Sequence, residues 1–324
     1  MGTVHRPRRG SLAVAPRKRS KRIYPRVSSK RAMKDVKPLD FAGYKVGMTE
    51  VRMIDDRAGS PTHNQQVVVS ATVIETPPLY ATGVRAYRKH PYGVDPVSEI
   101  WAEQKKELSR KTSISKKKVD VSKKMAELEK KLEDFSKITL IVNTQPVSAG
   151  ISKKKPELFE TDLGGSVSEM FAYAKEHIGK EIPIKDVFVE GEYIDTVGVT
   201  VGKGFQGSVK RFGVKLLAKK SQKLVRKAGN LGPWHPHKVS PRVPQMGQMG
   251  FHKRTQFNNR ILKIGEDPKE INADGWKRYG LVKGQYLLVR GSIQGPTKRV
   301  IRMRHALRSH MGKVLSPQIV SLKV

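Results

Sequence analysis

Tyr193-Ile194-Asp195-Thr196-Val197-Gly198-Val199-Thr200-Val201 reads as a β-strand, rich in β-branched and aromatic residues. It runs into a stretch with no carboxylate: between Asp195 and Glu266 there is no Asp and no Glu. The 70 residues from Thr196 to Gly265 carry 15 Lys and Arg and three His. With 29 acids in 324 residues, roughly six would be expected in that window, in line with ordinary globular usage. Strand text returns only at Ile261-Leu262-Lys263-Ile264. The pattern is a β domain interrupted by a cationic excursion. Such a segment repels itself and needs a polyanion to settle against, which points to nucleic acid.

The rest of the chain agrees with this split. Net charge is +35 and hydrophobic content 37%, enough for a core that serves part of the length, with extensions ordered by a partner. With no cysteine, disulfides, thiolate zinc sites and Cys nucleophiles are excluded. No run approaches 18 apolar residues, so no membrane span is predicted. The basic N-terminus lacks an apolar h-region, and Pro7, Gly10, Pro16 and Pro25 break any amphipathic helix, so neither a secretory signal nor a transit peptide is expected. The densest basic stretches are Gly- and Pro-rich rather than helical with aromatic anchors, which argues against a membrane surface.

Residues 1–37 hold thirteen Lys or Arg and one acid, Asp35. Without hydrophobic period they are either a solvated tail or an arm laid along phosphates, and the second acid-free stretch favours the arm. From Pro38 the character changes. Leu39 to Thr49, Val67 to Ile74 and Thr82 to Tyr87 are short β-rich runs at the spacing of a small barrel or sandwich. Residues 95–190 interrupt them. Ser122 to Phe135 reads as a helix with Met125, Leu128, Leu132 and Phe135 on one face. Ser166-Val167-Ser168-Glu169 is a capping box opening a second helix toward His177. Ile138 to Val142 lies between the two and can return to a sheet. The Lys runs at 116–118 and 153–155 suit solvated turns as well as RNA. Beyond 259, β text continues at Leu281-Val282, Tyr286 to Arg290, Val300 to Met303 and Pro317 to Val320. The domain reading is a basic arm (1–37), a first β part (38–94), a helical insert (95–190), a second β part (191–204 and 259–324), and a basic finger (205–258). There is no internal repeat.

Enzymatic motifs fail on inspection. Gly202-Lys203-Gly204-Phe205-Gln206-Gly207 matches G-x-G-x-x-G, but no apolar helix follows and no acid stands about 20 residues on. Its glycines better suit close backbone approach to a phosphate or another strand. His235 and His237 flank a proline, and no acid lies near, so a metal site is not expected; imidazole here suits stacking on bases or donating to phosphate. No Ser nucleophile elbow or carboxylate pair stands out.

The informative motif is Asn230-Leu231-Gly232-Pro233-Trp234-His235-Pro236-His237. Most tryptophans belong to a core. Here Pro233, Pro236, Pro241 and Pro244 forbid helix or central strand, and the neighbours Arg226, Lys227, Lys238 and Arg242 are cationic. An extended loop with an indole at its tip suits RNA: phosphates hold the arms while the ring stacks or wedges. Gln245 to Thr255 would be the return arm. On this reading the RNA-contacting residues are Arg8, Arg9, Arg17, Lys18, Arg19, Lys21 and Arg22 in the arm. In the finger they are Lys203, Lys210, Arg211, Lys219, Lys220, Lys223, Arg226, Lys227, Trp234, His235, His237, Lys238, Arg242, His252, Lys253 and Arg254, with Arg260 beyond it.

At these residues the chain resembles the archaeal form of the universal large-subunit ribosomal protein L-three family. The matching text is Gly43 to Thr49, Thr200 to Gly207, Gly232 to Pro236 and Gly250 to Thr255, in the right order and spacing. The resemblance implies a mainly β fold with a helical insert (α+β), built on a closed β-barrel of the translation-protein type with long basic extensions. It implies a structural, non-catalytic constituent of the large subunit in the cytoplasmic ribosome that binds 23S rRNA and supports early assembly. Its finger, with the tip tryptophan at Trp234, would run toward the peptidyl-transferase centre and the A site. Neighbouring large-subunit proteins are implied as partners, with no DNA, membrane or self-association. No cofactor is expected apart from structural Mg²⁺ held at the rRNA interface. The family's methylated finger histidine falls on Gln222, so that modification is not carried over. Rival readings are an rRNA-modifying enzyme and a chromatin-type DNA binder.

Overall fold

A computed structural model describes residues 8–57, 59–114, 120–221, 224–308 and 315–323. The chain forms two compact units: one from Tyr24–Gly198 and Thr255–Val324, the other from Met1–Ile23 and Val199–Arg254. The strands are β1 (Asp40–Ile54), β2 (Gln66–Glu75), β3 (Leu79–His90), β4 (Gly93–Trp101), β5 (Lys137–Asn143), β6 (Leu158–Asp162), β7 (Glu181–Ile182), β8 (Tyr193–Val199), β9 (Phe205–Gln206), β10 (Gly247–Gln248), β11 (Lys253–Gly265), β12 (Tyr286–Arg290), β13 (Val300–His305) and β14 (Ile319–Lys323). The helices are α1 (Val121–Glu129), α2 (Val167–His177) and the single turn α3 (Ser208–Phe212).

In the larger unit, β13, β8, β11, β12, β2 and β1 follow one another by hydrogen bonding, and β1 pairs again with β13. The six strands therefore close into a ring. β1 makes this closure because it is long. Asp40 to Tyr44 pair with Arg304 to Val300, while Glu50 to Met53 pair with β14. Between these halves the register with β2 slips at Lys45/Gly47. Gly47 is required there: a Cβ would stand 2.6 Å from the Trp276 ring. Outer β1 alternates as a half-buried strand should, with Val51 and Met53 buried and Glu50 and Arg52 exposed. In β12, Tyr286 to Val289 are all buried. Each buried Val, Leu, Ile or Phe contributes about 1.5–3 kcal/mol.

The 95–190 segment is only partly helical. β4, β5 and β6 join β3 in a second sheet, ordered β4-β3-β5-β6, with β7 also on β3. Pro96 is tolerated because β4 is an edge strand, where a missing donor leaves no ladder bond unmade. The first predicted helix keeps its apolar face, with Met125, Leu128 and Phe135 buried. It nevertheless ends at Glu129 and continues as a 3-10 turn over Leu132–Asp134. Glu133 and Asp134 would face the negative end of a longer helix, which opposes extension. The second helix starts where the capping box predicts: the Ser166 N–H donates to the Glu169 carboxylate at 2.7 Å. That bond holds the Glu169 carboxyl below its ordinary range.

The predicted arm divides near residue 24 rather than ending at 37. Tyr24 is buried in the larger unit's core. Lys30 pairs with buried Asp40 at 2.8 Å, and Arg302 pairs with the same carboxylate. The backbone N–H of Gly165 donates to Met33 O. Residues 24–37 thus pack as part of a folded unit, although their charge alone predicts an extension.

Candidate nucleic-acid interface

The smaller unit takes all its chain from two carboxylate-free segments: neither Met1–Ile23 nor Val199–Arg254 contains an Asp or Glu. Its base is an antiparallel pair. Thr200 N–H donates to His252 O, Phe251 N–H to Val201 O, Lys203 N–H to Met249 O, and Met249 N–H to Gly204 O. β9 and β10 extend it, Gln206 opposite Gly247. The chain turns at Gly250 with φ +72°, where a Cβ would lie 2.1 Å from Val201 O. Only glycine fits, which explains its place in the Gly250-Phe251-His252 motif. Across the base, Arg211 donates to the carbonyls of Gln245, Met246 and Gln248.

Further out, burial falls away. Leu217 N–H donates to Val225 O at 3.0 Å. From Gly229 to Arg242 every residue is exposed. Trp234 is 81% exposed, which excludes the core reading of this tryptophan in the isolated chain. Its ring meets His237 edge-on at 5.8 Å, and His235 meets His237 at 4.5 Å. An exposed indole with two imidazoles, on a segment without carboxylates, is a stacking surface set among cations.

Of the predicted residues, Arg8, Arg9, Lys18, Arg19, Lys21 and Arg22 in the arm are exposed. In the finger, so are Lys203, Lys210, Lys219, Lys220, Arg226, Lys227, Trp234, His235, His237, Lys238, Arg242 and Lys253. Arg17, Arg211 and Arg254 are partly buried. Lys223 and Gln222 lie outside the described residues. Two of the predicted contacts are buried. Arg260 pairs through its guanidinium with Asp56 and also donates to Leu315 O, which braces the larger unit. His252 is buried as well, its ring engaged by the Lys18 carbonyl at 2.9 Å.

That last contact belongs to a relationship absent from the sequence reading: the arm lies on the base of the finger. Ser20 N–H donates to Phe251 O at 2.8 Å, and the Arg19 guanidinium lies 5.6 Å from the Phe251 ring centroid. Arg17 lies 4.6 Å over the Phe212 ring, and a Cβ on Gly10 would strike that ring at 2.4 Å. Charge pattern alone does not single out Phe212, or Phe205, which is 71% exposed inside the Gly202–Gly207 motif. Their signal was an aromatic beside cations and glycines. Burial together with the charge of Arg17 lowers the pKa of both Arg211 and Arg254. Among the described residues no group of three or more His, Asp or Glu could hold a metal. No described helix is long and apolar enough to cross a membrane.

Comparison with known proteins agrees with the geometry. The family model for ribosomal protein L3 matches residues 1–323. The chain is 48% identical to the large ribosomal subunit protein uL3 of Archaeoglobus fulgidus, over 94% of this chain and 92% of that one. It is 44% identical to uL3 of Methanospirillum hungatei (98% and 97%) and 45% to that of Methanococcus vannielii (97% and 95%). The exposed tip, the carboxylate-free unit and these matches lead to one assignment: the chain belongs to the ribosomal protein L3 family, whose members are structural rather than enzymatic.

Proposed function

We propose that this chain is a structural RNA binder of the large subunit in the cytoplasmic ribosome. The ring of strands is a closed β-barrel of the translation-protein type that anchors the protein. The smaller unit seats in 23S rRNA, with Trp234 directed toward the peptidyl-transferase centre and the A site. Early assembly follows from the same contacts, because a cationic segment that binds folded rRNA neutralises phosphates which otherwise keep helices apart. Neighbouring large-subunit proteins meet the larger unit, structural Mg²⁺ shares the interface, and the chain acts as a single copy without DNA.

One observation carries this reading: Trp234 is 81% exposed on a segment with no carboxylate. An indole left in water has no stabilising role in the free chain, and acids are absent where phosphate would face them unscreened. The test is binding of the full chain to 23S rRNA and to duplex DNA across a salt series. If six to ten cations meet phosphates, affinity should fall by about 10³–10⁵ between 50 and 200 mM salt, with rRNA preferred throughout. Equal affinity for any duplex would favour the chromatin-type reading instead.

A further inference from the structure

The guanidinium carbons of Arg17 and Arg211 lie 4.6 Å and 5.1 Å from the centroid of one ring, that of Phe212. They are therefore at most about 10 Å apart, within one Debye length at ordinary salt. Both are held in place from behind. Arg17 donates to Ser11 O at 2.9 Å; Arg211 donates through Nε to Gln248 O at 3.0 Å and through Nη1 to Gln245 O at 2.9 Å. The arm thus folds back so that like charges converge, in a unit whose sequence contains no carboxylate. Convergence of this kind costs electrostatic energy unless an anion shares the site.

We propose that Arg17 and Arg211, which both lie against the Phe212 ring, form a site for one phosphate of an RNA backbone, and that this phosphate fastens the arm to the base of the finger. The chemistry fits. Guanidinium forks match phosphate oxygens, and the aromatic face orients the cations while adding a cation–π term. Gly10 serves the same site: its missing Cβ lets the arm backbone reach the Phe212 edge. The inference rests on the RNA-binding reading above, but it commits to a discrete site where that reading needs only diffuse charge.

The test is amide exchange in the full-length protein at Ser20, whose N–H donates to Phe251 O only when the arm is docked. Inorganic phosphate, compared with chloride at equal ionic strength, should slow that exchange about tenfold, a population shift toward the docked arm. A single-stranded RNA oligomer should do so at far lower concentration. Arg17→Gln should abolish the slowing by both anions. Lys215→Gln, which removes an exposed charge from the same unit, should retain it. Equal slowing by chloride, equal loss in Lys215→Gln, or retention in Arg17→Gln would each overturn the site. Protection by inorganic phosphate but not by RNA would overturn its assignment to an RNA backbone. Binding of 23S rRNA by the same samples separates the two claims: RNA bound without any effect at Ser20 removes this site alone, whereas no RNA binding removes the wider reading.

Discussion

The imidazole Nδ1 of buried His252 lies 2.9 Å from the carbonyl oxygen of Lys18, 234 positions away in the chain. A carbonyl only accepts, so Nδ1 carries the proton and donates. This bond, with Ser20 N–H on Phe251 O, joins the two acid-free segments into one unit. His252→Ala leaves the Lys18 carbonyl without that donor and removes about 1 kcal/mol. The measurable result is faster proteolysis at the arm's basic residues, with the transition of the larger unit unchanged. Unchanged cleavage of the arm would show that the contact does not hold it.

Gly250 carries φ +72° with the Val201 carbonyl 2.1 Å from where a Cβ would stand. Gly250→Ala combines a left-handed backbone penalty of about 1–2 kcal/mol with a clash against backbone. Loss of protection at the Lys203 and Phe251 amides would report opening of the finger base. A variant as protected as the natural chain would contradict the geometry.

Trp234→Ala should leave thermal stability within about 0.5 kcal/mol, as for other surface changes. Its cost should fall on RNA instead, on the order of 1–3 kcal/mol if the indole stacks on a base. Subunits carrying the variant should assemble, with altered tRNA accommodation or drug sensitivity. A lowered melting temperature would return Trp234 to a core role.

Lys30 is buried beside Asp40 and Asp162, and burial lowers its pKa from 10.5 to about 7. Between those values the unfolded chain binds more protons than the folded one, so stability contributed by this site rises with pH from about 7 to 10.5. Lys30→Met should flatten that rise, read as denaturation midpoints along a pH series. An unchanged slope would place the titration elsewhere.

How much of this was legible in the sequence depends on the range of the interaction. The alternation of Val51 and Met53 with Glu50 and Arg52 is local, and it announces β1 directly. The Ser166–Glu169 capping box is likewise local and marks the start of α2. Closure of the ring is not, because Tyr44 meets Val300 across most of the chain. β4 was missed because Pro96 and the Gly93 turn suppress the strand signal, and only an edge position makes them harmless. In the basic unit, charge and proline pattern singled out the segment that carries exposed Trp234. It did not show that Arg260 faces Asp56, since sequence counts cations without their partners. Nor did it show that Phe212 receives the arm: Gly10 and Phe212 touch only because the chain returns there.

A photo-crosslinking amino acid placed at position 234, in large subunits assembled with this chain, should join 23S rRNA nucleotides of the peptidyl-transferase region, and these cross-links should disappear when the finger is shortened. Cross-links confined to protein, or to RNA on the outer surface of the subunit, would mean that Trp234 does not reach that centre.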